Sequence, residues 1–128
     1  EGASIALASP QVRVEYISKA MPGAGSADKL FDWLKGVFLT DNYQGKLISD
    51  QETITTASGQ SVRLLEIQTP MTKKPNDPQT QRTGKNMIWA YIDKGEYLVG
   101  LSGTAIESAD YTKLKKDFLQ ILASYLDK

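Results

Sequence analysis

The sequence predicts an α+β domain: an antiparallel β-sheet of five to six strands packed with two amphipathic α-helices, in the order β-β-α-β-β-β-β-α. Three observations predict it. Val12, Val14 and Tyr16 alternate with Arg13 and Glu15, the period-two signature of a strand. Leu30, Trp33, Leu34, Val37 and Phe38 recur at helical spacing, and so do Tyr111, Leu114, Phe118, Ile121, Leu122 and Tyr125. Between two apolar runs, Asp93-Lys94-Gly95-Glu96 reads as a short hairpin turn whose glycine suits the left-handed position. Hairpins make antiparallel neighbours, and each amphipathic helix needs a sheet face or the other helix to cover its apolar stripe.

The elements follow in order. Ser4 to Ser9, small and aliphatic, reads as a first short strand ended by Pro10, and Gln11 to Ile17 as a half-buried strand with Val12, Val14 and Tyr16 on one face. Pro22, Gly23 and Gly25 form a loop. Ser26 is the expected N-cap of a helix over about Ala27 to Thr40, with Asp28 in the first turn, where a carboxylate suits the helix dipole. Lys46 to Thr56 and Val62 to Ile67, joined through Ala57-Ser58-Gly59-Gln60, read as a hairpin. Pro70 to Gly84, with three prolines and Met71 alone among larger apolar residues, reads as a long flexible loop. Asn86–Ile92 and Tyr97–Thr104 form the second hairpin. A helix capped by Ser108 or Asp110 then runs to the C-terminus with Lys113, Lys115, Lys116 and Asp117 on its polar side.

At 128 residues the chain suits one domain with a real core. Histidine and cysteine are absent, which excludes Ser-His-Asp and Cys-His nucleophile pairs, imidazole acid-base chemistry, disulfides, and thiolate or imidazole ligation of zinc, copper or haem iron. No cofactor or metal site is therefore expected. Fifteen basic residues balance fifteen acidic ones, against the basic excess of a dedicated nucleic-acid binder. No run approaches the ~20 apolar residues of a membrane-crossing helix. The chain opens Glu1-Gly2-Ala3 without methionine, which we read as a processed or trimmed form with its upstream segment removed.

The element order and particular residues resemble the PsbP-like superfamily, whose branches include DcrB-like bacterial lipoproteins, the extrinsic PsbP protein of photosystem II and a Ran-binding import protein. The residues that carry the resemblance are the alternating Val12-Arg13-Val14-Glu15 and the loop into Ser26-Ala27-Asp28-Lys29-Leu30. With them go Trp89-Ala90-Tyr91-Ile92 opposite Tyr97-Leu98-Val99-Gly100-Leu101-Ser102-Gly103-Thr104, and the ending Phe118-Leu119-Gln120-Ile121-Leu122-Ala123-Ser124-Tyr125. It covers the chain from about Ser4 onward and consists of structural residues. It implies a single PsbP-like domain without catalytic residues, an adaptor or binding module placed outside the cytoplasm (periplasmic or membrane-tethered) with its signal segment removed. It transfers no site, because members bind unrelated partners.

Few residues suggest chemistry. Gly100-Leu101-Ser102-Gly103-Thr104 has its second glycine in the wrong place for a nucleophile elbow, and no histidine accompanies it. Small residues there instead let a helix pack closely. Asp50 and Glu52, two apart on a predicted strand, are the one candidate carboxylate pair. Their neighbours Ser49, Gln51 and Thr53 read as a solvated face. The proline-rich loop is locally cationic: Lys73, Lys74, Arg82 and Lys85 against Asp77. Such a loop suits an acidic surface, an anionic headgroup or a polyanion, with attraction that weakens as salt rises. Trp33 joins the apolar stripe of the first helix and reads as core. Trp89 and Tyr91 share a strand face with Met87. If that face is exposed it is a binding surface, and if covered it is core.

These observations lead to a non-enzymatic, extracytoplasmic domain that binds a protein or an envelope component through Lys73, Lys74, Arg82, Lys85, Trp89 and Tyr91. Two alternatives stand beside it. One is a cytoplasmic adaptor or chaperone of the same fold shielding an apolar client segment, and the other a small hydrolase or lyase that uses carboxylates.

Overall fold

The two hairpins and the closing helix set the frame of the computed structural model, which describes residues 11–40, 43–70, 72–74, 77–82 and 84–124, with backbone only at 72–74 and 77–82. The chain runs β1 (Gln11–Ser18), α1 (Ala27–Phe38), β2 (Lys46–Ser49), β3 (Thr53–Thr55), β4 (Ser61–Thr69), β5 (Thr72–Lys74), β6 (Asp77–Arg82), β7 (Lys85–Asp93), β8 (Tyr97–Ala105) and α2 (Ser108–Ser124). It is an α+β fold. A six-stranded antiparallel sheet has the order β1-β8-β7-β4-β2, with β3 also paired to β4. The expected strand at Ser4–Ser9, and Tyr125 at the end of the closing helix, lie outside the described residues.

Cross-strand register sorts the residues onto two faces. Leu64 pairs with Ala90 and Ala90 with Leu101, while Leu65 pairs with Trp89 and Trp89 with Ser102. The first row belongs to a core under α2, built from Val62, Leu64, Ile88, Ala90, Ile92, Leu101 and Ala105 against Leu114, Phe118 and Leu122. The second belongs to a core under α1, where Phe31 and Leu34 meet Leu65, Ile67, Met87 and Tyr91. Gly103 permits the closeness of α2, since a Cβ there would stand 2.5 Å from Leu114 Cδ2. Gly100 serves a different purpose from the helix packing expected of it. Its missing Cβ makes room for the Tyr91 ring, which would lie 2.7 Å away.

Helix α1 starts where its cap predicts, with Ser26 accepting from the Lys29 N–H at 3.2 Å. Its buried stripe is turned relative to the expected one. Phe31 is fully buried, whereas Trp33 is 64% exposed. At 100° per residue these two stand on opposite sides of the helix, and the stripe that includes Phe31 also takes in Ala27, Leu30, Leu34 and Phe38. Trp33 is not core. Helix α2 buries Leu114, Phe118 and Leu122 of the stripe its periodicity marks, with Tyr111 and Ile121 half-buried on the same core. Its first turn is closed by the Tyr111 N–H on the Glu107 carbonyl, ahead of the expected Ser108 and Asp110 caps.

Two further expectations are corrected. The 70–85 stretch is not a featureless loop: β5 and β6 pair antiparallel, Thr72 with Arg82 and Lys74 with Asp77, as a separate two-stranded arm. Pro78 lies in β6, outside the wider sheet, where a two-stranded ribbon tolerates a missing donor. Strand β1 alternates as expected, yet Val12, Val14 and Tyr16 are 36%, 46% and 73% exposed rather than buried. They share the α2 face, since Val14 pairs with Leu101, but β1 is the edge strand.

Candidate binding cleft

The cleft arises because α1 does not span its sheet face. The helix lies over β7 and β4; Ile17 of β1 reaches its core, while the Ser102–Thr104 end of β8 and the Gln11–Glu15 stretch of β1 stay open beside it. Two cross-strand rows form the floor. Gln11, Thr104 and Met87 make one, and Arg13, Ser102 and Trp89 the next. Phe38 from the last turn of α1 supplies one wall, Arg13 and Glu15 of β1 the other, and Lys85 and Ile106 close one end. The volume is about 350 Å³.

The aromatic wall is firmly placed. Phe38 and Trp89 stack at 5.5 Å with 30° between ring planes, and Tyr43 meets the edge of Phe38 at 5.0 Å. The chain after α1 turns back tightly, so that the Gly45 N–H donates to the Phe38 carbonyl at 2.8 Å. A Cβ at Gly45 would collide with that same oxygen, so only glycine fits beneath the wall. Around the rings stand two cations, Arg13 and Lys85, one carboxylate, Glu15, and the hydroxyls of Ser102 and Thr104. An apolar planar group with an acidic end matches this lining, the ring stack taking the first and the cations the second.

The residues proposed from sequence separate here. Lys85 and Trp89 line the cleft. Tyr91 does not: it is 8% exposed, sealed beneath α1 with its ring 5.7 Å from Phe31. Burial, assisted by the Glu15 charge, pushes its phenol up to about 12, so it takes part as a packing residue. Lys73, Lys74 and Arg82 belong to β5 and β6, and their side chains fall outside what is described. The arm that carries them is rooted where Thr69 pairs with Lys85, at the Lys85 end of the cleft. Ser102, Thr104, Arg13, Glu15 and Phe38 were not singled out for binding. Adjacency across β1, β8 and β7 creates their site, and the small hydroxyls in the apolar β8 run were its only local trace.

Asp50 and Glu52 do not converge. Asp50 pairs with Lys35 of α1 at 3.0 Å and Glu52 with Lys115 of α2 at 3.2 Å, on opposite faces of the sheet. The Gln51 amide and then Lys35 hold the Asp50 carboxyl below its ordinary range, the reverse of what a general acid needs. A buried carboxylate the sequence reading passed over is Glu66, 5% exposed under α2. Tyr111 donates to it at 2.6 Å and Lys115 at 3.0 Å. Burial, then the Glu66 hydrogen bond, raises the Tyr111 phenol. Lys115 loses hydration, which lowers its pKa, but the hydrogen bonds to Glu66 and Glu52 outweigh this and raise it. With both partners engaged, Glu66 locks α2 to the sheet.

Among the described residues no helix is long and apolar enough to cross a membrane. No family model matches the chain, and no curated protein matches it. The fold and the cleft are those of an antiparallel α+β sandwich with an open half-face.

Proposed function

We propose that this chain is a non-enzymatic binding domain that takes an acidic protein or envelope component, seating an apolar group of it against Phe38 and Trp89. The observation that carries the proposal is the open end of the β8–β1 face, where a fixed aromatic stack adjoins Arg13, Lys85 and the hydroxyls of Ser102 and Thr104. The cationic arm, with Lys73, Lys74, Arg82 and Lys85 against Asp77, adds long-range attraction at the Lys85 end. In this proposal the domain works outside the cytoplasm, a placement supported by the PsbP-like resemblance. An initiating methionine directly before Glu1 in the native gene would contradict that placement.

Two variants test the cleft. Ser102→Tyr fills it from a half-exposed floor position, and neutralising Lys73, Lys74, Arg82 and Lys85 removes the steering charge. Partner retention on the immobilised domain falls for both, and retention by the native chain weakens as salt rises. Retention unchanged in the Ser102→Tyr variant places the partner elsewhere.

A further inference from the structure

Strand β1 is an edge whose sequence is complementary to itself. Among the described residues its one neighbour in the sheet is β8, so alternate backbone N–H and C=O groups of Val12–Ile17 turn away from the sheet at its edge. Above this edge stand Val12, Val14 and Tyr16, exposed on the α2 face. Below it stand Arg13 and Glu15, and among the described residues neither has an ion-pair partner. A charge on an edge strand ordinarily discourages pairing. Here the two signs flank Val14, and an antiparallel copy brings each against its opposite.

We propose that β1 pairs antiparallel with β1 of a second copy about a two-fold axis at Val14, joining two six-stranded sheets into one. In that register Arg13 faces Glu15 of the second copy and Glu15 faces its Arg13, Val12 faces Tyr16, and Val14 faces Val14. Antiparallel pairing matches residues of the same outward or inward orientation, so allowed registers differ by steps that keep like parity opposite like. The two neighbouring registers put Arg13 against Arg13 or Glu15 against Glu15 at the axis. The Val14-centred register alone sets opposite charges face to face, and it does so twice. It also covers the exposed apolar row with the same row of the other copy, forming an isologous contact that closes at two chains. The dimer does not depend on the cleft's ligand, although it places the two clefts side by side on one face of the joined sheet.

Because the chain has no cysteine, Val14→Cys is a specific probe. Directly opposed residues of antiparallel strands lie about 4.5–5.5 Å apart between Cα atoms, within the reach of a disulfide. Under diamide the Val14→Cys chain cross-links to a dimer, and Val12→Cys and Tyr16→Cys, which do not meet themselves, do not. In sedimentation equilibrium the native chain rises with concentration from 14.1 kDa to twice that mass. Arg13→Glu and Glu15→Arg singly weaken the association roughly tenfold or more, and the double exchange restores it. Circular dichroism of each variant, matching that of the native chain, separates lost pairing from lost folding. A native chain that stays at 14.1 kDa at every concentration overturns the proposal, and is the outcome expected if Ser4–Ser9 or a foreign strand takes the edge. Cross-linking of Val12→Cys as efficient as that of Val14→Cys overturns the register.

Discussion

Replacing Lys115 by methionine keeps most of the aliphatic stem and strands the Glu66 carboxylate beneath α2. The carboxylate side chain is 6% exposed and the lysine side chain 28%, so the anion is nearly dry while the cation keeps some water. After the substitution the Tyr111 hydroxyl, at 2.6 Å, still donates to the carboxylate. Removing one partner of a buried pair costs about 3–5 kcal/mol, and the partial hydration of Lys115 places this site at the lower end, about 3 kcal/mol. For a chain of this size that lowers the thermal midpoint by roughly 10 °C. Urea unfolding followed by circular dichroism reads the loss directly. Adding Glu66→Gln to the Lys115→Met chain removes the stranded charge and recovers a large part of it, a coupling that a double-mutant cycle isolates. A Lys115→Met cost below about 0.5 kcal/mol, the level of an exposed pair, would refute the view that Glu66 is a buried lock.

Further outcomes follow from the same geometry. Gly103→Ala forces a methyl against Leu114 and Ile88 and destabilises by about 1–3 kcal/mol, whereas Gly36→Ala, where a Cβ meets nothing within 4 Å, stabilises α1 by up to about 1 kcal/mol; chemical denaturation compares them. Phe31→Ala costs about 3–5 kcal/mol, and Trp33→Gln stays within about 0.5 kcal/mol, which checks the rotated stripe of α1. Tyr91, Tyr111 and Lys115 all hold their protons more tightly folded than unfolded. Their stabilisation is therefore complete below the unfolded values near about 10 and is lost as pH rises above them. Thermal midpoints measured across the alkaline range fall, and Tyr111→Phe makes that fall shallower.

The parts of the fold legible in the sequence are those fixed by local chemistry. Ser26 and Asp28 mark the start of α1, Gly95 with φ near 100° closes the β7–β8 turn, and Leu114, Phe118 and Leu122 recur at one helical face. What escaped depends on partners distant in sequence. Trp33 and Phe31 are equally apolar, and only the placement of α1 over β4 and β7 decides which is buried. Val12 and Val14 alternate like a covered strand but stand exposed on the edge strand of the sheet. Lys74 and Asp77 pair in an arm that a proline-rich composition disguises as loop. The cleft is the extreme case: Arg13, Ser102 and Trp89 are far apart along the chain and adjacent across three strands. Glu66, a lone acid inside Val62-Arg63-Leu64-Leu65-Glu66-Ile67, carries a visible local mark, since a carboxylate in an apolar run needs a partner.

The proposed function seats the partner in the open face between α1 and β1. A photo-reactive benzoylphenylalanine placed at Ser102, in the floor of that cleft, tests it in the native cell without knowledge of the partner. A control probe at Lys116, exposed on the polar side of α2, reports on the opposite face. The expected result is a discrete adduct from position 102, diminished when Lys73, Lys74, Arg82 and Lys85 are neutralised, and none from position 116. Adducts from 116 alone, or equal adducts from both, would contradict it.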